Sequence, residues 1–485
     1  MRRKWVLPAV AAVTLTAGVT GGIYLGGSEN GPFKKWTAKM EMNAETDKQG
    51  NEAGHKELGK VEQAYDLILN SYVEEVESEQ LVEGAIQGML TTLDDPYSVY
   101  MNKETAKQFE ETLDSSFEGI GTEIGIEEGK IIIISPYKNS PAEKAGLKPK
   151  DQILKVNGES VEGQDLYETR LKIRGKKGTP VTLEIKRDGV ANPITIKMVR
   201  AEIPLETVFS EVKEEKGRKM GYIELSSFSN NTAADFKTHL QKLEERHIKG
   251  LVIDVRGNPG GLLSSVEEIV GNLIPNDKPY LQIEERNGDT RSYFTNLKEK
   301  KEYPIAVLMD KGSASASEIL ASALQEAGGY ALIGDRSFGK GTVQQPVPMG
   351  DGSNIKLTLF KWLTPDGNWI HKKGIEPTVE VHQPEYFNLQ PLAIENTLKR
   401  DDNSEQIKHA QQMLSGLGFE SSRDDGYFDL RTEIAVKAFQ QQNDIEATGK
   451  LDRKTAEAIE KALAEQIKDE QNDIQLKTAL KYLAK

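Results

Sequence analysis

Apolar residues recur at helical spacing between Leu58 and Leu90, first as Val61, Ala64, Tyr65, Leu67 and Ile68, then as Val82, Ala85, Ile86 and Met89. The period predicts two helices inside a segment spanning residues 57–114. Strand signals follow, with an isoleucine-rich run at Ile131–Ile134 and an Asn157-Gly158 pair suited to a tight hairpin with positive backbone dihedrals. Between 201 and 385, β-branched runs such as Gly250–Val255 and Ile305–Met309 alternate with helical stretches after Ser264 and Ser317, which argues a mixed α/β sheet. Residues 386–403 are polar and read as a linker, and 463–485 read as an Ala/Glu/Lys/Leu helix of unassigned purpose. A chain of 485 residues exceeds the roughly 100–200 of one domain, so a multidomain α/β protein is expected.

The amino terminus departs from these patterns. Arg2, Arg3 and Lys4 precede an uncharged run from Trp5 to Gly27. About 20 residues at 1.5 Å each cross a hydrocarbon core of roughly 30 Å. With the basic side leading, the rest of the chain is expected outside the cytoplasm. Thr14, Thr16, Thr20 and several glycines dilute the run, as in a cleaved signal peptide, but no A-x-A site follows. Residues 1–27 are therefore read as a signal peptide or transmembrane anchor, with the anchor preferred, and residues 28–56 as a polar tether. An excess of 76 acidic over 62 basic residues argues against a nucleic-acid partner. The absence of cysteine excludes disulfides, thiolate nucleophiles and cysteine-based metal sites.

Candidate chemistry narrows by elimination. No G-x-S-x-G elbow or H-E-x-x-H helix occurs, and the six histidines show no zinc-like spacing, so no metal is expected. Gly334–Lys340 approaches a Walker loop, but Gly341 stands where the magnesium-binding hydroxyl belongs, and no nucleotide or other cofactor is expected. What remains is a serine and a lysine, far apart in sequence and each among small residues: Gly312-Ser313-Ala314-Ser315-Ala316-Ser317-Glu318, and Phe338-Gly339-Lys340-Gly341-Thr342 followed by Gln344. Such a pair suggests a hydrolase that uses an amine as its base.

Several motifs over roughly residues 57–385 together resemble the C-terminal processing peptidases, or tail-specific proteases. The resemblance implies that GSASASEILASALQEAG carries the nucleophile, Ser315, and that GDRSFGKGTVQ carries the base, Lys340, and its companion Gln344. It further implies that VIDVRGNPGG supplies an oxyanion hole from Gly260 and Gly261 within a protease core at 201–385. LDDPYSVYM at Leu93–Met101 and YIELSSF at Tyr222–Phe228 are further family marks without an assigned role. In relatives the amino-terminal helical segment often joins protomers, so a homodimer is one expectation; packing on its own protease core is the other. Residues 115–200 resemble a PDZ domain through Gly119-Ile120-Gly121, Ser140-Pro141-Ala142, Ala145-Gly146-Leu147 and Asp151–Gly158. Backbone amides around Gly119, Ile120 and Gly121 would then hold a peptide's terminal carboxylate while a strand edge pairs with the peptide. Residues 404–462 resemble the three-helix peptidoglycan-binding domain through Leu417-Gly418-Phe419, Asp425–Asp429, Ala435–Gln440 and Thr448–Asp452. Peptidoglycan is thus a second candidate partner beside protein or peptide substrates with a free C-terminus.

Lysine chemistry sets a condition on the site. With a pKa near 10.4, about one amine in 2,500 is neutral at pH 7; burial that lowers it by roughly 3 units brings the neutral fraction to tens of per cent. Lys340 must then be dry. Gln344 can orient the amine without the charge by which an aspartate would raise its pKa again. Asp254, Glu318 and Glu326 are read as turn or helix-end partners, Arg256 as a partner of Asp254 or a loop carboxylate, and Arg174 as a contact to substrate, core or solvent. The expected function is an envelope serine endopeptidase selecting protein C-termini through its PDZ domain; the alternative is an inert PDZ and wall-tethering protein.

Overall fold

The computed structural model describes residues 52–485 apart from 115, 128, 138, 165, 188, 189, 191, 390 and 395, and for 52–57, 111, 112, 167 and 388 the backbone alone. The expected anchor or signal at 1–27 and most of the tether lie outside the described residues, among which no helix is long and apolar enough to cross a membrane. The chain begins as a helix pair, α1 (Glu52–Ser71) and α2 (Ser78–Thr91), followed by a short strand β1 (Val99–Met101) and α3 (Lys103–Leu113). Asn102 caps α3 by accepting the Thr105 amide at 2.9 Å.

The next unit is a small β-rich domain. Its strands are β2 (Ser116–Gly119), β3 (Thr122–Glu127), β4 (Lys130–Pro136), β5 (Gln152–Val156), β6 (Glu159–Ser160), β7 (Pro180–Lys186) and β8 (Ile194–Val199), with helices α4 (Pro141–Lys144) and α5 (Leu166–Ile173). The main sheet runs β3-β4-β5-β7-β8, which leaves β3 at an edge. Asn157 and Gly158, at φ of 52° and 86°, turn the chain between β5 and β6 as a two-residue hairpin. Ile133, Ile153, Leu183 and Ile185 fill the core. β9 (Ala201–Pro204) returns antiparallel to β2, so the domain's entry and exit lie side by side.

The largest unit holds β10 (Val208–Glu215), β11 (Arg218–Leu225), α6 (Thr232–Glu244), β12 (Leu251–Asp254), α7 (Leu263–Val270), β13 (Leu281–Glu284), β14 (Thr290–Tyr293), β15 (Ile305–Met309), α8 (Ala316–Ser322), β16 (Ala331–Gly334), β17 (Thr342–Pro348), β18 (Asn354–Leu363) and β19 (Val379–Glu380). One sheet runs β10-β11-β12-β15-β16-β19, parallel from β11 onward. A second, antiparallel sheet joins β1, β18, β13 and β14, with β17 also on β18. The first sheet is apolar on both faces, as a parallel sheet must be when both are covered. Ile223, Ile253, Val307 and Leu332 pack on one side with residues of α6, α7 and α8. Tyr222, Val252, Ala306, Leu308 and Ile333 point to the other, in strict alternation.

What covers that second face is the chain's own end. After the helices α9 (Glu405–Gly416), α10 (Leu430–Gln442) and α11 (Arg453–Lys468), a last helix α12 (Ile474–Leu483) returns to the sheet and buries Leu476, Ala479, Leu480 and Leu483 against it. The carboxy-terminal helix therefore has a structural purpose: it completes the core of the largest unit. Two boundaries read from the sequence shift. The proposed limit at 462 falls inside α11. The 386–403 stretch is no free linker, because Leu389, Leu392, Ile394 and Leu398 pack on the three-helix domain. Each of its three helices starts at a side-chain cap: Ser404, Asp429 and Asp452 accept the amides of Ile407, Thr432 and Thr455.

Candidate active site

Ser315 precedes the first residue of α8 with φ 57° and ψ −112°, an uncommon conformation for a residue with a side chain. It is fully buried, yet its hydroxyl has no hydrogen-bond partner. The neighbouring serines differ. Ser313 Oγ donates to the Val255 carbonyl at 2.7 Å and Ser317 Oγ to the Asn258 carbonyl at 2.9 Å. Of three serines spaced by alanines, two are tied to the glycine-turn segment and Ser315 alone keeps its hydroxyl uncommitted.

Glu318, one turn into α8 and also fully buried, collects the site. Its Oε2 accepts the amides of Ser315 and Lys340, each at 2.8 Å, and its Oε1 accepts Ser337 Oγ at 2.6 Å and the Gly339 amide at 2.7 Å. One carboxylate thereby holds two segments that are 22 residues apart in sequence. Burial raises its pKa, and these four hydrogen bonds oppose the rise. The helix-end role expected of Glu318 is met in part, since it bonds the amide of the residue before the helix, but its reach across to the lysine loop was not foreseen. The Ser-x-x-Glu spacing of a capping box was the available signal.

Lys340 is 2% exposed. Burial first, and the charge of Lys356 second, pull its pKa down to about 7 against the opposing attraction of Asp95 and Glu318. Its carbonyl accepts Trp362 Nε1 at 2.7 Å. The flanking glycines permit close approach, though to a different neighbour than the nucleophile: a Cβ on Gly339 would lie 2.8 Å from the Gly374 nitrogen, and one on Gly341 2.8 Å from that of His371. Gln344 follows an irregularity in the β17–β18 pairing, of the kind that re-aims a side chain. Its Nε2 donates to Thr342 Oγ1 at 3.0 Å and Thr358 Oγ1 at 2.9 Å, while Oε1 is buried without a partner. The amide is thus locked with its acceptor oxygen spare.

The glycine turn lies against the serine. A Cβ on Gly260 would fall 2.9 Å from Ser315 Cβ and 3.1 Å from the Ala316 nitrogen, and one on Gly261 would fall 2.1 Å from the Phe228 carbonyl oxygen. No side chain fits at either position. The Gly260 amide is already used, donating to Asn258 Oδ1 at 2.8 Å, whereas the Gly261 amide has no acceptor among the described residues. Of the two expected oxyanion donors, Gly261 is the one available. Asp254 and Arg256 form a pair whose guanidinium also reaches Asp473 at 2.8 Å, just before α12. Glu326 accepts the Asp366 amide. Asp254 is a turn partner, as expected, accepting the Arg256 amide at 2.9 Å, whereas Glu326 reaches a loop 40 residues further on.

In the β-rich domain a cleft of about 450 Å³ opens between the edge of β3 and α5, lined by Phe117, Gly119, Gly121, Ile124, Tyr137 and Arg174. The carbonyls of Ile120 and Gly121 turn inward, accepting the amides of Ala142 and Tyr137. The Ile120 side chain is buried in the domain core, so it serves the cleft only through its backbone. Arg174 lies over the Phe117 ring at 4.8 Å and faces the cleft rather than the core.

A buried serine with an uncommitted hydroxyl, whose backbone amide shares one Glu318 oxygen with that of a lysine held at low pKa, is the arrangement of a serine-type peptidase, and sequence comparison agrees. Residues 219–381 match peptidase family S41, 118–198 a PDZ domain, 403–459 a peptidoglycan binding domain, and 15–105 the N-terminal domain of the activating protease CtpB. The chain belongs to the carboxy-terminal processing proteases. It is 56% identical to carboxy-terminal processing protease CtpB of Bacillus subtilis (strain 168), over 99% of this chain and 98% of that protein. It is 43% identical to CtpA of the same organism, over 89% and 91%. Among solved structures, the photosystem II D1 C-terminal processing protease is 27% identical over 66% of this chain and 92% of its own, with a TM-score of 0.41.

Proposed function

We propose that the protein is an envelope endopeptidase that captures protein C-termini in the PDZ cleft and cleaves them through an acyl-enzyme on Ser315. The observation that carries this reading is the joint placement of Ser315 and Lys340 on one Glu318 oxygen, with the serine hydroxyl uncommitted and the lysine pKa near 7. In the reaction the Lys340 amine takes the Ser315 proton as Oγ attacks the scissile carbonyl, then returns it to the leaving amine. Gln344 Oε1 accepts a hydrogen bond from the ammonium and steadies it without a charge. The Gly261 amide faces the developing oxyanion, and Gly260 keeps the approach open. The Ser315 hydroxyl is not bonded to any base in this structure, so the pair tightens on substrate binding, as catalytic contacts in unliganded enzymes commonly do.

A peptide adds to β3 with its carboxylate at the Gly119–Gly121 turn. The polar groove of about 550 Å³ beside Tyr386, Gln411 and Arg423 suits a wall fragment, and the apolar groove between α1 and α2, lined by Val61, Tyr65, Ile68, Val82 and Met89, suits a second protomer. Nothing in the fold or the site favours an inert tether. A fluorophosphonate probe tests the core of the reading: it should label the wild-type protein and leave Ser315→Ala unlabelled. Labelling that persists in Ser315→Ala and disappears in Ser313→Ala would refute the assignment.

A further inference from the structure

The Leu93–Met101 motif has no part in the reaction as set out above, yet it lies directly on the base. β1 pairs antiparallel with β18, placing Val99 opposite Lys356. In the turn before it, Asp95 accepts the Tyr97 amide at 3.1 Å and Ser98 Oγ at 2.6 Å. Ser98 Oγ in turn accepts the Thr358 amide at 3.0 Å, and Thr358 Oγ1 accepts Gln344 Nε2. This chain of contacts fixes Tyr97 with its ring face 4.5 Å from Lys340 Nζ. The ring also makes a T-shaped contact with His371, their centroids 6.4 Å apart, and His371 stacks on Trp369 at 5.3 Å. Trp369 Nε1 donates to the Gly341 carbonyl, the residue after the base. A ring held by its turn and by a neighbouring imidazole, and presented face-on to a buried amine, is a built contact.

We propose that Tyr97 is a positioning residue of the reaction, its ring face receiving the ammonium of Lys340 as that charge forms. The inference rests on Lys340 being the base. In acylation the Ser315 O–H bond breaks, Oγ bonds to the carbonyl carbon, the carbonyl electron pair moves onto its oxygen, and the proton becomes part of a Lys340 ammonium. The ring takes no part in bond making; it attracts the new cation through its quadrupole. A carboxylate at the same distance would hold the lysine protonated before substrate arrives. An aromatic face attracts the cation more weakly, so the neutral amine stays accessible near neutral pH while the charged transition state gains. The other charged and titratable groups facing the amine are Lys356 from β18, Asp95 from the turn, Glu318 from α8 and His371 from the loop after β18, which Lys372 also faces.

The test is a pH–rate profile of kcat/KM for the full chain on fluorescein-labelled casein, with Lys340→Ala run in parallel. Tyr97→Phe should keep both the plateau and the rising limb. Tyr97→Leu should lower the plateau about ten- to thirty-fold and move the limb to lower pH, because the resting ammonium also loses its partner. A series of fluorinated phenylalanines at position 97 keeps the shape while draining the ring face, and should lower the plateau stepwise even if the leucine variant fails to fold. A fluorinated series with unchanged plateau and limb, alongside an inactive Lys340→Ala, overturns this role for Tyr97 and leaves the base assignment standing. Activity retained by Lys340→Ala would instead remove the base assignment itself.

Discussion

Gly260 and Gly261 beside Ser315, and Gly121 at the PDZ cleft, all adopt positive φ, at 108°, 143° and 73°. The resemblance ends there. The first loop is enclosed: Asn258 occupies one amide, Phe228 crosses at contact distance, and the serine helix closes the far side. The second borders an open cleft with an unpaired strand edge. On the proposed reading, the difference follows from what each handles. An oxyanion exists only in the transition state, so its donors must be fixed beforehand in a site free of water. A chain end must enter, and chains differ, so the recognising loop needs an open edge and contacts that are largely backbone.

The largest expected effect lies at the enclosed site. Lys340→Ala and Ser315→Ala should each lower kcat on casein by about 10⁴-fold or more, and the double variant should be no worse, since the two act as one unit. In the wild type, kcat/KM should climb with pH through about 7, because only the neutral amine accepts the serine proton and the buried lysine is protonated below that point. Lys340→Arg, which keeps the charge and cannot lose it, should be as inactive as the alanine variant. A flat profile across pH 6 to 8 would count against an amine base.

The glycine turn comes next. Gly261→Ala puts a methyl group 2.1 Å from the Phe228 carbonyl and must displace the turn, so turnover should drop about 100- to 1,000-fold, the usual cost of one lost oxyanion donor. Binding of a free-acid peptide to the PDZ cleft, measured by fluorescence anisotropy, should be unchanged. A weaker peptide affinity in that variant would mean the two loops are coupled. Glu318→Gln should cost somewhat less, about 100-fold in kcat, because an amide can accept from only one of the two pairs of donors that the carboxylate now serves. Loss confined to KM would place Glu318 in substrate binding instead.

These sites were unequally legible from the chain. Ser315, Lys340 and Gln344 sit in short motifs whose small residues and spacing are visible locally. Sequence alone separates Ser313, Ser315 and Ser317 only through resemblance; the bonded hydroxyls of the outer two are visible only in three dimensions. The packing of Tyr97 on Lys340 could not be read, since it joins segments more than 200 residues apart through a β1–β18 pairing that no periodicity announces. α12 reads as a helix from sequence, but amphipathicity alone does not say which surface receives it; the strands it covers include residues as early as Met220. Leu389, Leu392, Ile394 and Leu398 read as linker because their spacing fits neither a strand nor a helix.

The open loop should yield the smallest effect, and it sharpens the comparison most. If the Gly119–Gly121 turn holds a terminal carboxylate, amidating a peptide's C-terminus removes a charge-assisted contact worth about 1.5–3 kcal/mol, or roughly ten- to hundred-fold in kcat/KM. Gly121 is a poor place to mimic that loss, because its Cβ would point into the domain, 2.4 Å from Ser140 Cβ, and its φ disfavours any side chain. Gly119 is the better choice: its Cβ would face Phe117 at 3.3 Å and Arg174 at 3.8 Å, both in the cleft wall, and it has no such backbone restriction. Gly119→Val should therefore cut cleavage of the free-acid peptide to the level of the amide and leave the amide's own rate nearly unchanged, since both changes delete one interaction. Losses that multiply would mean the loop and the carboxylate act separately. Equal cleavage of acid and amide by the wild type would remove chain-end recognition from this cleft altogether, leaving an open peptide-binding edge indifferent to where the chain stops.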